Sequence, residues 1–475
     1  MKVPEISCVE RSEDILGTMA QSVPEYFDWI KKNKNLKTVS SHRDDFSLTD
    51  VAMRAGGADT AVYLKHVELQ LRMRRGLTFL EKQGKPVEIV RQGLPKFFDL
   101  ELKKQEESLL PHQFPVTFFN LEKLNGENAQ ISFSKRIGKW IVCSKNVALA
   151  ADTLQEAESM YSSEPRFKFC LYIARHWFNG CLATAKNVDE MKELMDSTTF
   201  VGEVCDVSEN QHIVDNPVKQ GLIFFAIVHK TPSGPGTALC QLPDQAIPIF
   251  KKFNLQHVDM QASCVVNSAE EFPKLEKFVD ELTVDASPDP YVCLSEGSVV
   301  YATDRMGKVL FLSKVKTTKY RILRRVRELL KNAASPRATS DDTSKLRTRF
   351  RQDLKKWGFT NPSEISAYML LLEACNSVRK SQNWPLDKIS WRFIDFLHAA
   401  VAEIKSGKVS LPAPTVAVAD EEELRATQEG EAKAVNPKGR GRRRPKGKGK
   451  PKHEVESSDD EDRAFSKLPG DVRLQ

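Results

Sequence analysis

Lys123 stands directly before Leu124-Asn125-Gly126 in the stretch FFNLEKLNGENAQISFSKRIGKWIVC, residues 118 to 143, which reads as strand, bend, strand, strand. An amine is nucleophilic only when unprotonated, and at the usual lysine pKa of about 10.4 roughly one in two thousand is so at neutral pH. Crowding by other cations would disfavour the ammonium form. Lys314 and Lys316, two apart in a strand-like run, are expected on one face, and with Arg75 and Lys96 they would form a cationic clamp. Glu296, in Glu296-Gly297-Ser298-Val299, and Glu203, in Gly202-Glu203, are carboxylates suited to a hard divalent ion, which keeps several waters and needs few protein oxygens. Amine, clamp and sparse acids are the parts phosphoryl transfer needs, because its catalysis is mostly positioning and charge stabilisation. Gly126 and Gly297 would allow close approach of backbone or ligand. Each residue alone has an ordinary reading: a solvated lysine in a hairpin turn, outward lysines on an amphipathic strand, Phe97 and Phe98 as core. The ordered set favours chemistry.

The elements that must position these residues are mixed. Strand candidates in residues 1–320 are GLTFLE, VEIVRQG, NAQISFS, KWIVCS, FVGEVCD, GLIFFAIV, PYVCLSEGSVVYA and KVLFLSK, and their close succession in hairpin-like pairs argues for antiparallel pairing. Helices such as EPRFKFCLYIARHWFNGCLATAK and SAEEFPKLEKFVDEL lie between them. The expectation is an α+β domain of antiparallel sheets flanked by helices, residues 1–320. From 321 to 410 the three-to-four spacing of apolar residues predicts a small all-helical domain, with Pro362 and Pro385 separating its runs. Its first helix carries Arg321, Arg324, Arg325, Arg327 and Lys331, a face that could lie on a phosphate backbone.

Composition sets the outer bounds. The 475 residues are 40% hydrophobic and 28% charged, with a formal net charge of +7, as in a globular protein with a sizeable core and an anionic partner. No run approaches the ~18 apolar residues of a membrane span, and the early acidic residues of MKVPEISCVERSEDILG argue against a secretory or transit leader. Nine scattered cysteines with no C-x-x-C spacing fit a reducing nucleus or cytoplasm better than disulfides or zinc. Residues 411–475 hold 14 Lys and Arg against 13 Asp and Glu in segregated blocks, with Pro and Gly and few apolar residues. Such a tail is expected to be disordered. Its basic block at 438–452 suits nuclear import or RNA contact, and SSDDED around Ser457 and Ser458 resembles an acidic phosphorylation site.

Taken in order, Lys123-Leu124-Asn125-Gly126, Gly202-Glu203, Glu296-Gly297-Ser298-Val299 and Lys314-Val315-Lys316 resemble the covalent nucleotidyltransferases: DNA ligases, RNA ligases and RNA capping enzymes. RGLTF and LPKFFDLE upstream resemble RNA ligases of the phage RNA ligase 1 class, and GEVCDVSENQHIVD is similar to the sealing domain of fungal tRNA ligases. The resemblance covers about residues 70–320. It implies an ATP-dependent RNA ligase with Mg2+ or Mn2+, in which Lys123 becomes charged with AMP. Glu122, Asn125, Gly126, Arg75, Lys96, Glu203, Phe225, Lys314 and Lys316 would bind nucleotide, and Glu296 and Glu203 would bind the metal. The implied partner is RNA with broken or spliced ends, such as tRNA halves. No G-x-x-x-x-G-K-[ST] loop is present and H-x-[ST] occurs once as His229-Lys230-Thr231, so separate end-healing enzymes are expected. The alternatives are a silent RNA-binding protein with this fold and a capping guanylyltransferase.

Overall fold

The computed structural model describes residues 22–411 except 44, 55–58, 104–105, 107–108, 110–112, 209–210, 215–218, 235–238 and 335–342. Residues 412–475, with the tail read above as disordered, lie outside the described residues, as does Cys8.

Helix α1 (Val23–Lys32) opens on a capping box in which Ser22 and Glu25 satisfy each other's backbone donors. Strands β1 (Leu36–His42) and β2 (Ser47–Met53) follow, then the short helices α2 (Asp59–Lys65) and α3 (Val67–Arg72), then β3 (Leu77–Lys82) and β4 (Lys85–Gln92). These four strands form an antiparallel sheet in chain order. Tyr26, Phe27 and Ile30 of α1 pack on Leu77, Phe79 and Ile89 across one face of it.

Two five-stranded sheets carry the centre. The first has the order β11-β10-β7-β8-β9, from β7 (Glu127–Ser134), β8 (Lys139–Cys143), β9 (Ala148–Ala151), β10 (Thr198–Cys205) and β11 (Gly221–His229). The second has the order β12-β6-β13-β14-β5, from β5 (Phe98–Asp99), β6 (Val116–Glu122), β12 (Met260–Val266), β13 (Gly297–Thr303) and β14 (Val309–Lys316). Every pairing is antiparallel except β14 with β5. Leu121, Leu124, Val201, Ile223, Tyr301 and Leu312 belong to one buried cluster that joins the two sheets. The chain passes from the second sheet to the first through residues 123–126, and Lys123 stands at that crossing.

Helices cover the outer faces. Alpha helices α4 (Leu154–Tyr161), α5 (Lys168–Arg175), α6 (Val188–Ser197) and α7 (Pro243–Lys252) contribute to the core of the first sheet, and α8 (Phe272–Leu282) packs on the second. The long helix expected over 164–186 divides instead into a 3-10 turn at Pro165–Phe167, then α5, then a π-helical stretch at His176–Leu182. There the adjacent Trp177 and Phe178 are both buried. The strand expected from 290 begins only at Gly297. Asp285 accepts hydrogen bonds from the amides of Leu294 (2.9 Å) and Ser295 (3.0 Å), which ties the preceding residues into a loop. Gly297 itself has φ +136°, a conformation L side chains rarely adopt.

Beyond β14 the chain is helical: α9 (Thr318–Ala334), α10 (Thr343–Lys356), α11 (Pro362–Ser381), α12 (Leu386–Trp391) and α13 (Phe393–Lys405). Their apolar faces share one core around Leu323, Leu330, Phe350, Leu371 and Phe396. The basic face expected on α9 is largely used within the protein. Arg325 pairs with Asp353 at 2.6 Å, Arg327 with Glu328, and Lys331 with Glu328. Positions 324, 327 and 331 recur at helical spacing, but the partners come from α9 itself and from α10, which a charge run alone cannot show. Among the described residues no helix is long and apolar enough to cross a membrane.

Candidate active site

The cleft over the crossing is lined by Lys123, Asn125, Gly126, Glu203, Phe225, Glu296, Arg75, Lys314 and Lys316. Glycine is needed at the crossing, because a Cβ on residue 126 would lie 2.2 Å from the Val204 carbonyl oxygen. The same holds at 297, where a Cβ would lie 2.0 Å from the Val315 carbonyl oxygen. The close pairing of β13 and β14 thereby brings Glu296 beside Lys316, while the Lys123 amide donates to the Gly297 carbonyl at 2.9 Å. Glu203 follows a bulge between Val201 and Gly202 in the β10–β11 ladder, a device that re-aims the next side chain.

Lys123 Nζ lies 2.7 Å from Glu296 Oε1. The other carboxylate oxygen, Oε2, accepts from Asn125 Nδ2 at 2.7 Å. Asn125 Oδ1 accepts from the amides of Ile213 (2.9 Å) and Val214 (3.0 Å), and Nδ2 also approaches the Tyr320 hydroxyl at 3.4 Å. This explains the amide at 125: one end must donate to a carboxylate while the other accepts two backbone donors, which an aspartate cannot do. Glu203 Oε2 accepts from the Gly126 amide at 3.0 Å.

Burial pulls the Lys123 pKa down, but Glu296, Glu203 and Tyr320 together outweigh it, so the amine is held above the ordinary lysine range. The expectation that neighbouring cations disfavour its ammonium form is therefore corrected for the unliganded cleft. The carboxylate in contact wins over cations farther off. The depressed amine is Lys316, pushed down to about 7 by burial, with Arg324, Lys314 and Lys123 adding to the effect and Glu296 opposing it.

Lys314 and Lys316 do share a face, as alternation requires, and both line the cleft. Arg75 lines it too. Lys96 does not: it is 5% exposed and its Nζ bonds Asp59 Oδ1 at 2.9 Å, while Arg75 reaches Asp59 Oδ2 at 3.3 Å. The clamp is thus three cations on the cleft with Lys96 held behind them by Asp59. Burial raises the Asp59 pKa, yet Arg75 and Lys96 prevail and hold it below its usual range. Glu122 is half-buried on β6 and is not part of the lining, whereas Phe97, read above as core, lines the cleft with Phe225. Phe98 packs with the α1 core and carries Lys96 over its ring at 5.9 Å.

Sequence reasoning missed Asp59, Lys145 and the site position of Arg324. Lys145 and Arg324 line the cleft, from the β8–β9 turn and from α9. The helical spacing of Arg324 relative to Lys316 and Tyr320 was a usable signal, since α9 follows β14 after a single residue. Lys316 sits 5.6 Å from the Tyr320 ring.

Glu296 and Glu203 both supply oxygen donors to the cleft, and Glu296 is only 4% exposed. Such a pair fits a hard divalent cation that retains waters and also takes oxygens from a polyphosphate. No group of three or more His, Cys, Asp or Glu side chains among the described residues is arranged to hold a metal, so the fit is to a shared site, not an all-protein cage.

The chain belongs to the RNA ligase family of the phage T4 ligase 1 type, whose model matches residues 73–320. No curated protein sequence matches it. Among solved structures it is similar to an archaeal ATP-dependent RNA ligase, with 11% identity over 86% of this chain and 88% of that one at a TM-score of 0.38. A protein described as an ATP-dependent DNA ligase of Aquifex aeolicus shows 14% identity, 81% and 80% coverage and a TM-score of 0.37. A variant of the Naegleria gruberi RNA ligase, solved with ATP and Mn, shows 13% identity, 61% and 94% coverage and a TM-score of 0.30.

Proposed function

We propose that this member of the RNA ligase family uses ATP to join RNA 3′-hydroxyl and 5′-phosphate ends through lysyl-AMP and RNA-adenylate intermediates. The observation that carries the reading is the Lys123 amine, at the crossing between two sheets, held 2.7 Å from Glu296 in a cleft that Lys314 and Lys316 also line.

Lys123 first gives up a proton and its Nζ bonds the α-phosphorus of ATP as the bond to pyrophosphate breaks. An oxygen of the RNA 5′-phosphate then bonds that phosphorus, and the P–N bond breaks as the lysine nitrogen regains a proton. Last, a 3′-hydroxyl loses its proton and bonds the 5′-phosphorus, and AMP leaves. Throughout, Lys314, Lys316, Arg75 and Arg324 face the charge that gathers on phosphoryl oxygens, as preorganised cations in a site partly shielded from water. Glu296 and Glu203 would hold Mg2+ or Mn2+, which when bound supplies charge neutralisation and orientation of the polyphosphate. The aromatic rings of Phe97 and Phe225 offer faces to a base.

We further propose the division 1–320, 321–410 and 411–475 as catalytic, helical and tail regions. We also propose action on broken or spliced RNA, such as tRNA halves, in the nucleus or cytoplasm after separate enzymes prepare the ends. The basic block at 438–452 motivates the location.

Incubation with α-labelled ATP and Mg2+ tests the core of this reading. The protein should take up a label that mild acid releases, that GTP competes for poorly, and that Lys123→Ala lacks. It should then seal a 5′-phosphate, 3′-hydroxyl RNA. A folded preparation that never takes up label would leave only a silent RNA-binding protein, and preference for GTP would turn the assignment toward capping.

A further inference from the structure

The segment between β10 and β11 reaches two ways. On one side it is stitched to the start of α13. The Gln211 amide donates to the Trp391 carbonyl at 2.9 Å, Gln211 Nε2 donates to Asp395 Oδ1 at 2.8 Å, and Gln211 Oε1 accepts from the Asp395 amide at 3.0 Å. That last amide belongs to the first helical turn, whose donors have no partner within the helix, so Gln211 acts as a cap supplied from another part of the chain. Arg392 reinforces the join by donating from Nη1 to the Ser208 carbonyl at 2.8 Å and from Nε to Asp395 Oδ2 at 2.8 Å. Ile213 and Val214 are 0% and 7% exposed and belong to the helical core.

On the other side, the amides of Ile213 and Val214 hold Asn125 Oδ1, and Asn125 Nδ2 holds the Glu296 oxygen opposite the one that pairs with Lys123. Asn125 has no freedom to turn while both amides are in place. Its orientation sets where the Glu296 carboxylate points, and so where the amine rests. Gln211 and Asp395 are not among the residues lining the cleft, yet the Gln211 bonds to α13 and the Ile213 and Val214 bonds to Asn125 are separated by only two residues of backbone.

We propose that Gln211 and Asp395 are positioning residues for Lys123, through which the helical region sets the geometry of the adenylylation step. The inference rests on the ligase reading above. A join that merely fastened the helices would alter melting and RNA sealing, but leave the first step intact in saturating ATP.

The test uses full-length Gln211→Ala, Asp395→Ala and Asp395→Asn. Asn at 395 keeps an oxygen for Gln211 to donate to, so it is the conservative control. Two readouts are needed: the single-turnover rate of Lys123 adenylylation with its dependence on ATP, and hydrogen exchange at the Ile213 and Val214 amides. The expected result is faster exchange at both amides in the two alanine variants, with adenylylation slowed on the order of 10-fold or more, since small misplacements of reacting groups cost up to about 100-fold. Half-saturation by ATP should stay within about twofold, and Asp395→Asn should recover most of the rate. Faster exchange with an unchanged adenylylation rate overturns the proposal, and so does exchange that does not change. Should the wild type never adenylylate, the ligase reading falls by itself. The relay is then decided by the NMR signal of the Asn125 side-chain amide, which must move in Gln211→Ala and stay put if the relay is absent.

Discussion

The crossing after β6 and the end of β14 hold lysines in opposite states. At the crossing, Lys123 touches Glu296 and stays protonated despite its burial. On β14, Lys316 is buried beside Arg324 and Lys314, and its pKa falls to about 7. The same side chain, on the same kind of sheet, is charged or nearly half neutral according to what lies within a few ångströms. Neighbouring cations therefore do not lower the Lys123 pKa; the contacting carboxylate sets it. In the reaction proposed above, the amine would become nucleophilic only once Glu296 is drawn away from it.

The sharpest way to break this contrast is to remove the amine that pairs with Glu296. Lys123→Arg keeps a cation for Glu296 but cannot be deprotonated near neutral pH, so adduct formation should fall by at least about 1,000-fold while the fold persists, checked by labelling and by circular dichroism. Next in size is Glu296→Gln. It releases Lys123 from its partner, so the amine should titrate lower by NMR. Yet adenylylation should drop on the order of 100-fold because a metal-binding carboxylate is lost; a variant as fast as the wild type would remove Glu296 from the site. Asn125→Asp places an oxygen where a donor stood 2.7 Å from Glu296. A buried hydrogen bond is exchanged for repulsion, costing about 1–3 kcal/mol of stability, read as a lower midpoint in urea.

Lys316 gives the smallest and most diagnostic effect. In the free protein Lys316 loses its charge as pH rises through about 7, and a bound polyphosphate favours the charged form, so its pKa is higher in the complex. Nucleotide binding above neutrality should therefore take up a proton. Affinity should be greatest below pH 7 and weaken as pH rises, by up to about tenfold per unit between the free and bound values. Calorimetry in buffers of different ionisation enthalpy measures that proton, and Lys316→Met should abolish it while leaving the titration of Lys123 in place.

Much of the site could be read from the chain because strand alternation and turn glycines are local. Lys314 and Lys316 had to share a face, and Gly126 and Gly297 stand where an added Cβ would meet a carbonyl oxygen at 2.2 Å and 2.0 Å. The strands β1, β2, β5, β9 and β12 were harder. β1 is exposed at four consecutive positions and β12 at most of its length, so neither alternates cleanly. Asp59 escaped notice because its partners are 16 and 37 residues away, and no local pattern encodes a salt bridge at that range. On α9 the acid that pairs with Arg325, Asp353, becomes visible only when the helices pack, whereas Glu328 lies three residues from Lys331 on α9 itself. The sign of the Lys123 shift depended on a 2.7 Å contact that motif order does not give.

Asp59 has one more consequence. By gripping Arg75 and Lys96 at once, it occupies the far end of the clamp with an anion that belongs to the protein. On the reading proposed above, a nucleotide's phosphates would have to compete with this resident anion for Arg75, and a triphosphate would compete better than AMP because it carries more charge.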